Sequence, residues 1–81
     1  MNAFTIDDLQ TIARSVIGDR SLALRPEGMA KDVPGWDSLN HTLIIMEVNE
    51  KVGIELPANR AARARDFDHL VKMVRNAPPR A

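Results

Sequence analysis

Leu43, Ile44, Ile45 and Met46 are consecutive, and four adjacent apolar residues on a helix of 3.6 residues per turn point in four directions. A helix built on them cannot bury its apolar side chains against one neighbour alone. Either it packs centrally between two neighbours or it leaves an apolar face outward. Ile44, Val48 and Val52 form the natural inward stripe. Leu39, Leu43 and Met46 lie together on another side at spacings of four and three, with Glu47 and Glu50 nearby. Pattern alone leaves both arrangements open.

The same periodicity locates the other elements. Thr5-x-x-Asp8 resembles a capping box with Asp in place of the usual Glu, and Phe4 is placed to staple onto Leu9. Ile6, Leu9, Ile12, Ala13, Val16 and Ile17 recur at three- and four-residue spacing before Gly18, which predicts a first helix over 5–17. Residues 18–37 show no sustained period and predict a long loop, whose Leu22, Leu24, Met29 and Val33 must pack across helix ends in a domain this small. Pro34-Gly35-Trp36 then delivers the chain into a second helix over 38–52, with Asp37 or Ser38 as N-cap. Gly53 stops it, Ile54 and Leu56 continue as a short extended segment, and Pro57 opens a short third helix over 58–64. Asp66 caps a last helix over 66–76, on which Phe67, Leu70, Val71 and Val74 fall on one face, and residues 77–81 form a tail. The expectation is a single all-α domain over 1–81, a four-helix bundle of three longer helices and one short one with a long first loop.

At 81 residues only about 60 % of the unfolded surface can be buried, so the core is thin. With no cysteine it has no disulfide to support it, and zinc-finger, haem-attachment and thiol-nucleophile chemistries are excluded. Eleven basic residues balance eleven acidic ones, which argues against a nucleic-acid partner held by phosphate neutralisation. The balance is a cancellation: residues 1–57 carry about −4 and residues 58–81 about +4. No apolar run approaches a membrane span and residues 1–8 lack the regions of a signal peptide. The expectation is a cytoplasmic monomer with no membrane partner.

Few side chains offer catalysis. Ser38 and His41 share a helix face, but without an orienting carboxylate a surface or half-buried histidine is the ordinary reading. His69 falls on the polar side of the last helix and is expected to be solvated. Neither a phosphate-cradling glycine loop nor metal ligands at usable spacing nor an aromatic stacking platform is present in the sequence. The informative residue is Ser38. At a helix start its hydroxyl either caps a free N–H or carries a phosphate ester, which the free N–H groups and the helix dipole stabilise. Asp37 beside it would repel such a phosphate unless a divalent cation bridged the two during attachment.

Gly35-Trp36-Asp37-Ser38-Leu39, followed by an apolar helix ending in Glu50-Lys51-Val52-Gly53-Ile54-Glu55-Leu56-Pro57, resembles the acyl carrier proteins, the phosphopantetheine-attachment domains. Asp-Ser-Leu alone is a weak signal; its joint occurrence with the preceding Gly, the Glu, the Gly-Ile-x-Leu-Pro and the flanking amphipathic helices covers residues 4–75. The resemblance implies a bundle of the acyl-carrier type that catalyses nothing itself. Ser38 would receive 4′-phosphopantetheine from coenzyme A through a separate magnesium-dependent phosphopantetheinyl transferase, for which Asp37 and Leu39 would be recognition residues. The arm would hold acyl groups as thioesters, and Leu39, Leu43, Met46, Glu47 and Glu50 would dock the loading ligase and the condensing and modifying enzymes.

Two departures accompany the resemblance. Members serving fatty-acid synthesis are usually strongly acidic along helices two and three, whereas here the second helix begins with Asn40, His41 and Leu43 and the third carries Arg60 and Arg63, with Arg65 after it. Val52 also stands where a Phe often precedes the Gly-Ile pair. Both favour a specialised lipid, polyketide or secondary-metabolite pathway. An aminoacyl or peptidyl carrier loaded by an adenylating enzyme is the alternative, and a helical interaction module in which Ser38 merely caps is the further one. A cargo chain folding back into the domain would be expected near Ile45, Met46 and Ala62.

Overall fold

The computed structural model describes residues 2–80, and among these it contains four α-helices and no strand. Helix α1 spans Ile6–Ile17. The expected capping box closes it: the Asp8 N–H donates to Thr5 Oγ1 at 3.2 Å and the Thr5 N–H donates to Asp8 Oδ2 at 2.9 Å. Phe4 and Leu9 are both buried, as the staple requires. Leu9, Ile12 and Ala13 enter the core, and Gly18 ends the helix in the left-handed region.

The 18–37 connection is held by short turns of its own and by hydrogen bonds to α1 and to the last helix. Arg14 Nε donates to the Leu22 carbonyl at 2.6 Å and Gln10 Oε1 accepts from the Leu24 N–H at 2.9 Å. Leu22 and Leu24 are thereby pressed into the core, while Met29 is exposed and Val33 half-buried. A 3₁₀ turn over Ala30–Asp32 interrupts the loop; its three residues carry no apolar period, so sequence reading passes over it.

Helix α2, Ser38–Val52, packs on α1 and on the short α3, Ala58–Ala61. Its fully buried residues are Ile44, Ile45 and Val48; Val52 is only half-buried, so the inward stripe is broader at its middle and weaker at its end than expected. Helix α3 is shorter than the expected 58–64. Pro57 supplies no side-chain cap, Ala61 is its one buried residue, and the chain leaves through tight turns in which Arg63 donates to Arg60 O and Ala64 to Ala61 O. With so narrow a buried face, nothing rewards a longer helix.

Helix α4, Phe67–Asn76, begins one residue later than expected because Asp66 is its N-cap, accepting from the His69 N–H at 2.8 Å. Phe67, Leu70, Val71 and Val74 are buried as expected. Two N–H groups of its first turn reach the loop instead of water: Phe67 donates to Gly28 O at 2.9 Å and Asp68 to Pro26 O at 2.8 Å. His69 is half-buried rather than solvated, its Nδ1 accepting from the Arg65 N–H at 2.9 Å. Of the expected 77–81 tail, whose last residue lies outside the described residues, Pro79 forms an antiparallel bridge with Ile54, with Glu55 N–H donating to Pro78 O and Arg80 N–H to Gly53 O. Asn49 reinforces this corner, bonding both the N–H and the carbonyl of Leu56. No helix among the described residues is long and apolar enough to cross a membrane.

Candidate functional site

The segment leading to Ser38 is shaped by Gly35, whose φ of +87° few side chains adopt. A Cβ there would lie 2.6 Å from Ile17 Cγ2, so the backbone crosses the end of α1 at a distance only glycine allows. Asn40 Nδ2 then donates to the Gly35 carbonyl at 2.8 Å, tying the turn back to the helix it introduces. Asp37 is the N-cap of α2, its Oδ1 accepting from the Asn40 N–H at 2.8 Å. Ser38 is therefore the first helical residue and not the cap.

That distinction decides what its hydroxyl does. The chain has six hydroxyl side chains. Thr5 caps α1, Thr11 donates to Asp7 O, Ser21 to Asp19 and Thr42 to Ser38 O. Ser15 and Ser38 have no hydrogen-bond partner for their hydroxyls among the described residues. Both are exposed and both line an opening, Ser15 in the last turn of α1 with Arg14, Gly18 and Arg20, and Ser38 at the start of α2 on an open cavity of about 410 Å³.

This cavity separates the beginning of α2 from α3. Ser38 and Thr42 form one wall, Ala58, Ala61, Ala62 and Ala64 the other, and Trp36, Phe67 and Leu70 the floor. In the floor Trp36 packs on Phe67 with ring centroids 5.1 Å apart. Trp36 Nε1 donates to His41 Nδ1 at 3.0 Å, which leaves the proton of this imidazole on Nε2, where it donates to Ala58 O at 2.9 Å. Both ring nitrogens are thus committed to holding α3 against α2, and His41 is not a base for Ser38. The expected fold-back region is met only in part. Ala62 lines the cavity, but Ile45 is sealed in the core and Met46 borders a second opening near Glu50 and Pro57.

The outward side of α2 is apolar. Leu39 is 68 %, Leu43 42 % and Met46 59 % exposed. The helix both packs on two neighbours and presents an apolar face, so the two arrangements that pattern left open coexist. Asp37 and Glu50 are exposed beside this face, and half-buried Glu47 pairs with Lys51 at 3.9 Å. Sequence reading missed the supporting roles of Asn40 and the Trp36–His41 pair, because hydrogen bonds from side chain to distant backbone leave no periodic trace. Comparison with protein-family models, with curated proteins and with solved structures returns no match.

Proposed function

We propose that this chain is a carrier protein of the acyl-carrier type, with Ser38 as the attachment residue for 4′-phosphopantetheine, serving a specialised lipid, polyketide or secondary-metabolite pathway. One observation carries the reading: Ser38 keeps its hydroxyl exposed and unbonded at a helix start because Asp37 does the capping. A serine that capped the helix would be bonded to it, and the free N–H groups of a helix start, which Ser15 in the last turn of α1 does not have beside it, favour an attached phosphate. The group fits the site, since the hydroxyl is reachable from solvent and an open, largely apolar cavity adjoins it. When bound, the arm supplies a terminal thiol, which this cysteine-free chain lacks, to hold acyl groups as thioesters.

The chain's own residues then have positioning tasks. Gly35 and Asn40 orient the turn, Asp37 holds the helix start one residue before Ser38, and exposed Leu39, Leu43 and Met46, with Glu47 and Glu50, form the surface that partner enzymes would engage. The engagement of His41 by Trp36 and Ala58 supports a carrier over a hydrolytic Ser/His pair.

The test is incubation with coenzyme A, Mg²⁺ and a broad-specificity phosphopantetheinyl transferase, read by intact mass. One phosphopantetheine adduct is expected, lost in Ser38→Ala and kept in Ser15→Ala. An unmodified chain, or an adduct that survives Ser38→Ala, defeats the proposal.

A further inference from the structure

Attachment at Ser38 makes no use of the opening at the end of α1. Arg14, Ser15, Gly18 and Arg20 line this concavity of about 550 Å³, two cations and one hydroxyl with neither an acid nor an apolar side chain among them. Arg14 and Arg20 form no ion pair among the described residues. Arg14 is nonetheless anchored. Its Nε donates to the Leu22 carbonyl at 2.6 Å, which ties the guanidinium to the loop and leaves its Nη groups unbonded among the described residues. The Ser15 hydroxyl is exposed and equally unbonded. Asp19, the acid between Gly18 and Arg20, turns its carboxylate to Ser21, whose N–H and hydroxyl donate to Oδ1 at 2.9 and 2.7 Å.

We propose that this opening binds the phosphoryl group of a small, water-soluble phosphate monoester. The inference does not rest on the carrier reading. One guanidinium fork matches two oxygens of an oxyanion. A second guanidinium and a hydroxyl beside it suit a tetrahedral group with a third oxygen to bond, which a planar carboxylate lacks. The dipole of α1 ends here with the equivalent of about half a negative charge, and two full cationic charges outweigh it. Because no apolar side chain lines the opening, the rest of the ligand stays in water. Met29, Leu39, Leu43 and Met46, the exposed large apolar residues, are not among its lining, so nothing there would enter a bilayer beside a lipid headgroup. A nucleic acid is disfavoured because residues 1–57 carry about −4, which repels a polyanion at long range, whereas a single phosphoryl group meets the arginines at contact.

The test follows the amide NMR shifts of the full chain as glycerol 3-phosphate is added at constant ionic strength. Saturable shifts are expected at Ser15, Gly18 and Arg20, and acetate should bind the same residues about tenfold more weakly. Arg14→Gln would also remove the bond to Leu22, so Arg20→Gln carries the test. It should weaken binding about tenfold with unchanged far-UV circular dichroism, and Ser15→Ala about threefold. Arg60, Arg63 and Arg65 are exposed cations that line none of the openings described, and they serve as the internal control. Shifts at these three equal to those at Ser15, Gly18 and Arg20 would show general charge attraction and overturn the proposal. Absence of saturation by about 50 mM, equal affinity for acetate, or unchanged affinity in Arg20→Gln also overturns it. Tighter binding to phosphatidic acid vesicles than to glycerol 3-phosphate, lost in Arg20→Gln, would overturn the water-soluble class in favour of a lipid headgroup.

Discussion

Gly35→Ala tests the geometry that delivers Ser38. Gly18, Gly35 and Gly53 all have positive φ, but only at Gly35 does a Cβ meet anything, Ile17 Cγ2 at 2.6 Å. Gly18→Ala therefore measures backbone strain alone. A left-handed L-residue costs about 1–2 kcal/mol, offset by about 0.4–1 kcal/mol from a less flexible unfolded chain, for a net loss near ~1 kcal/mol. Gly35→Ala carries the same strain plus an overlap with a branched side chain at a packed helix end, an overpacking term of about 1–3 kcal/mol. Its expected cost is about 2–4 kcal/mol, a large part of the stability of a chain this size. Ile17→Ala removes the clashing methyl and leaves Ile17 Cβ 3.8 Å away, ordinary contact. In that background Gly35→Ala should cost only about 1 kcal/mol, so the double-mutant cycle yields about 1–3 kcal/mol of relief. Urea unfolding followed at once by far-UV circular dichroism and Trp36 fluorescence supplies the numbers. If Gly35→Ala costs no more than Gly18→Ala, or if Ile17→Ala brings no relief, the close crossing of the loop over α1 is wrong.

Three further outcomes are expected. Leu43→Ser and Met46→Ser, at side chains 42 % and 59 % exposed, should each cost about 1 kcal/mol, whereas Ile45→Ala, fully buried, should cost about 2–5 kcal/mol in the same urea titration. His41→Leu leaves the Trp36 indole N–H and the Ala58 carbonyl without partners; a loss of about 2–3 kcal/mol and a blue-shifted Trp36 emission should follow, and unchanged emission would contradict the Trp36–His41 bond. Hydrogen bonds from the Ser21 hydroxyl and the Ser21 N–H, with a smaller contribution from Arg14, hold the Asp19 carboxyl below its ordinary 3.8. A depressed carboxylate stabilises the fold above the unfolded-state pKa and loses that contribution as pH falls through the lower folded value. An NMR titration should place the Asp19 midpoint below 3.8 and show it rising in Ser21→Ala.

Where the sequence carries a period, it foretold the structure closely. The first helix, the last helix and their caps follow from Thr5, Asp8, Gly18 and Asp66, local signals read over three or four residues. The exposed stripe of α2 was half legible: spacing grouped Leu39, Leu43 and Met46, but which side faces solvent depends on where α1 and α3 lie. The misjudged parts depend on contacts distant in sequence. Helix α3 ends early because little of it is buried, and residues 78–80 are ordered by the backbone of Gly53 and Glu55. His69 looked solvated because helical phase does not register a bond to the Arg65 N–H. At the candidate site, sequence neighbours single out Ser38 for attention, whereas its release from capping is a matter of which of two adjacent oxygens reaches the Asn40 N–H.

That release separates what stability requires from what it leaves undetermined. Asp37 satisfies an otherwise open N–H, Gly35 fits a space no other residue fits, and His41 joins α3 to α2. Ser38, Leu39, Leu43 and Met46 do none of this: the hydroxyl is unbonded and the three apolar side chains are exposed. Fully burying such a side chain contributes about 1.5–3 kcal/mol, so this stripe leaves several kcal/mol of apolar contact unrealised in a chain whose core is already thin. Polar residues there would cost the fold less than a core substitution and would improve solubility. An apolar group kept exposed next to an unbonded hydroxyl gains its contact only when a second molecule arrives. For that reason the Ser38 face, rather than the well-bonded histidines, is where this protein's function should be sought.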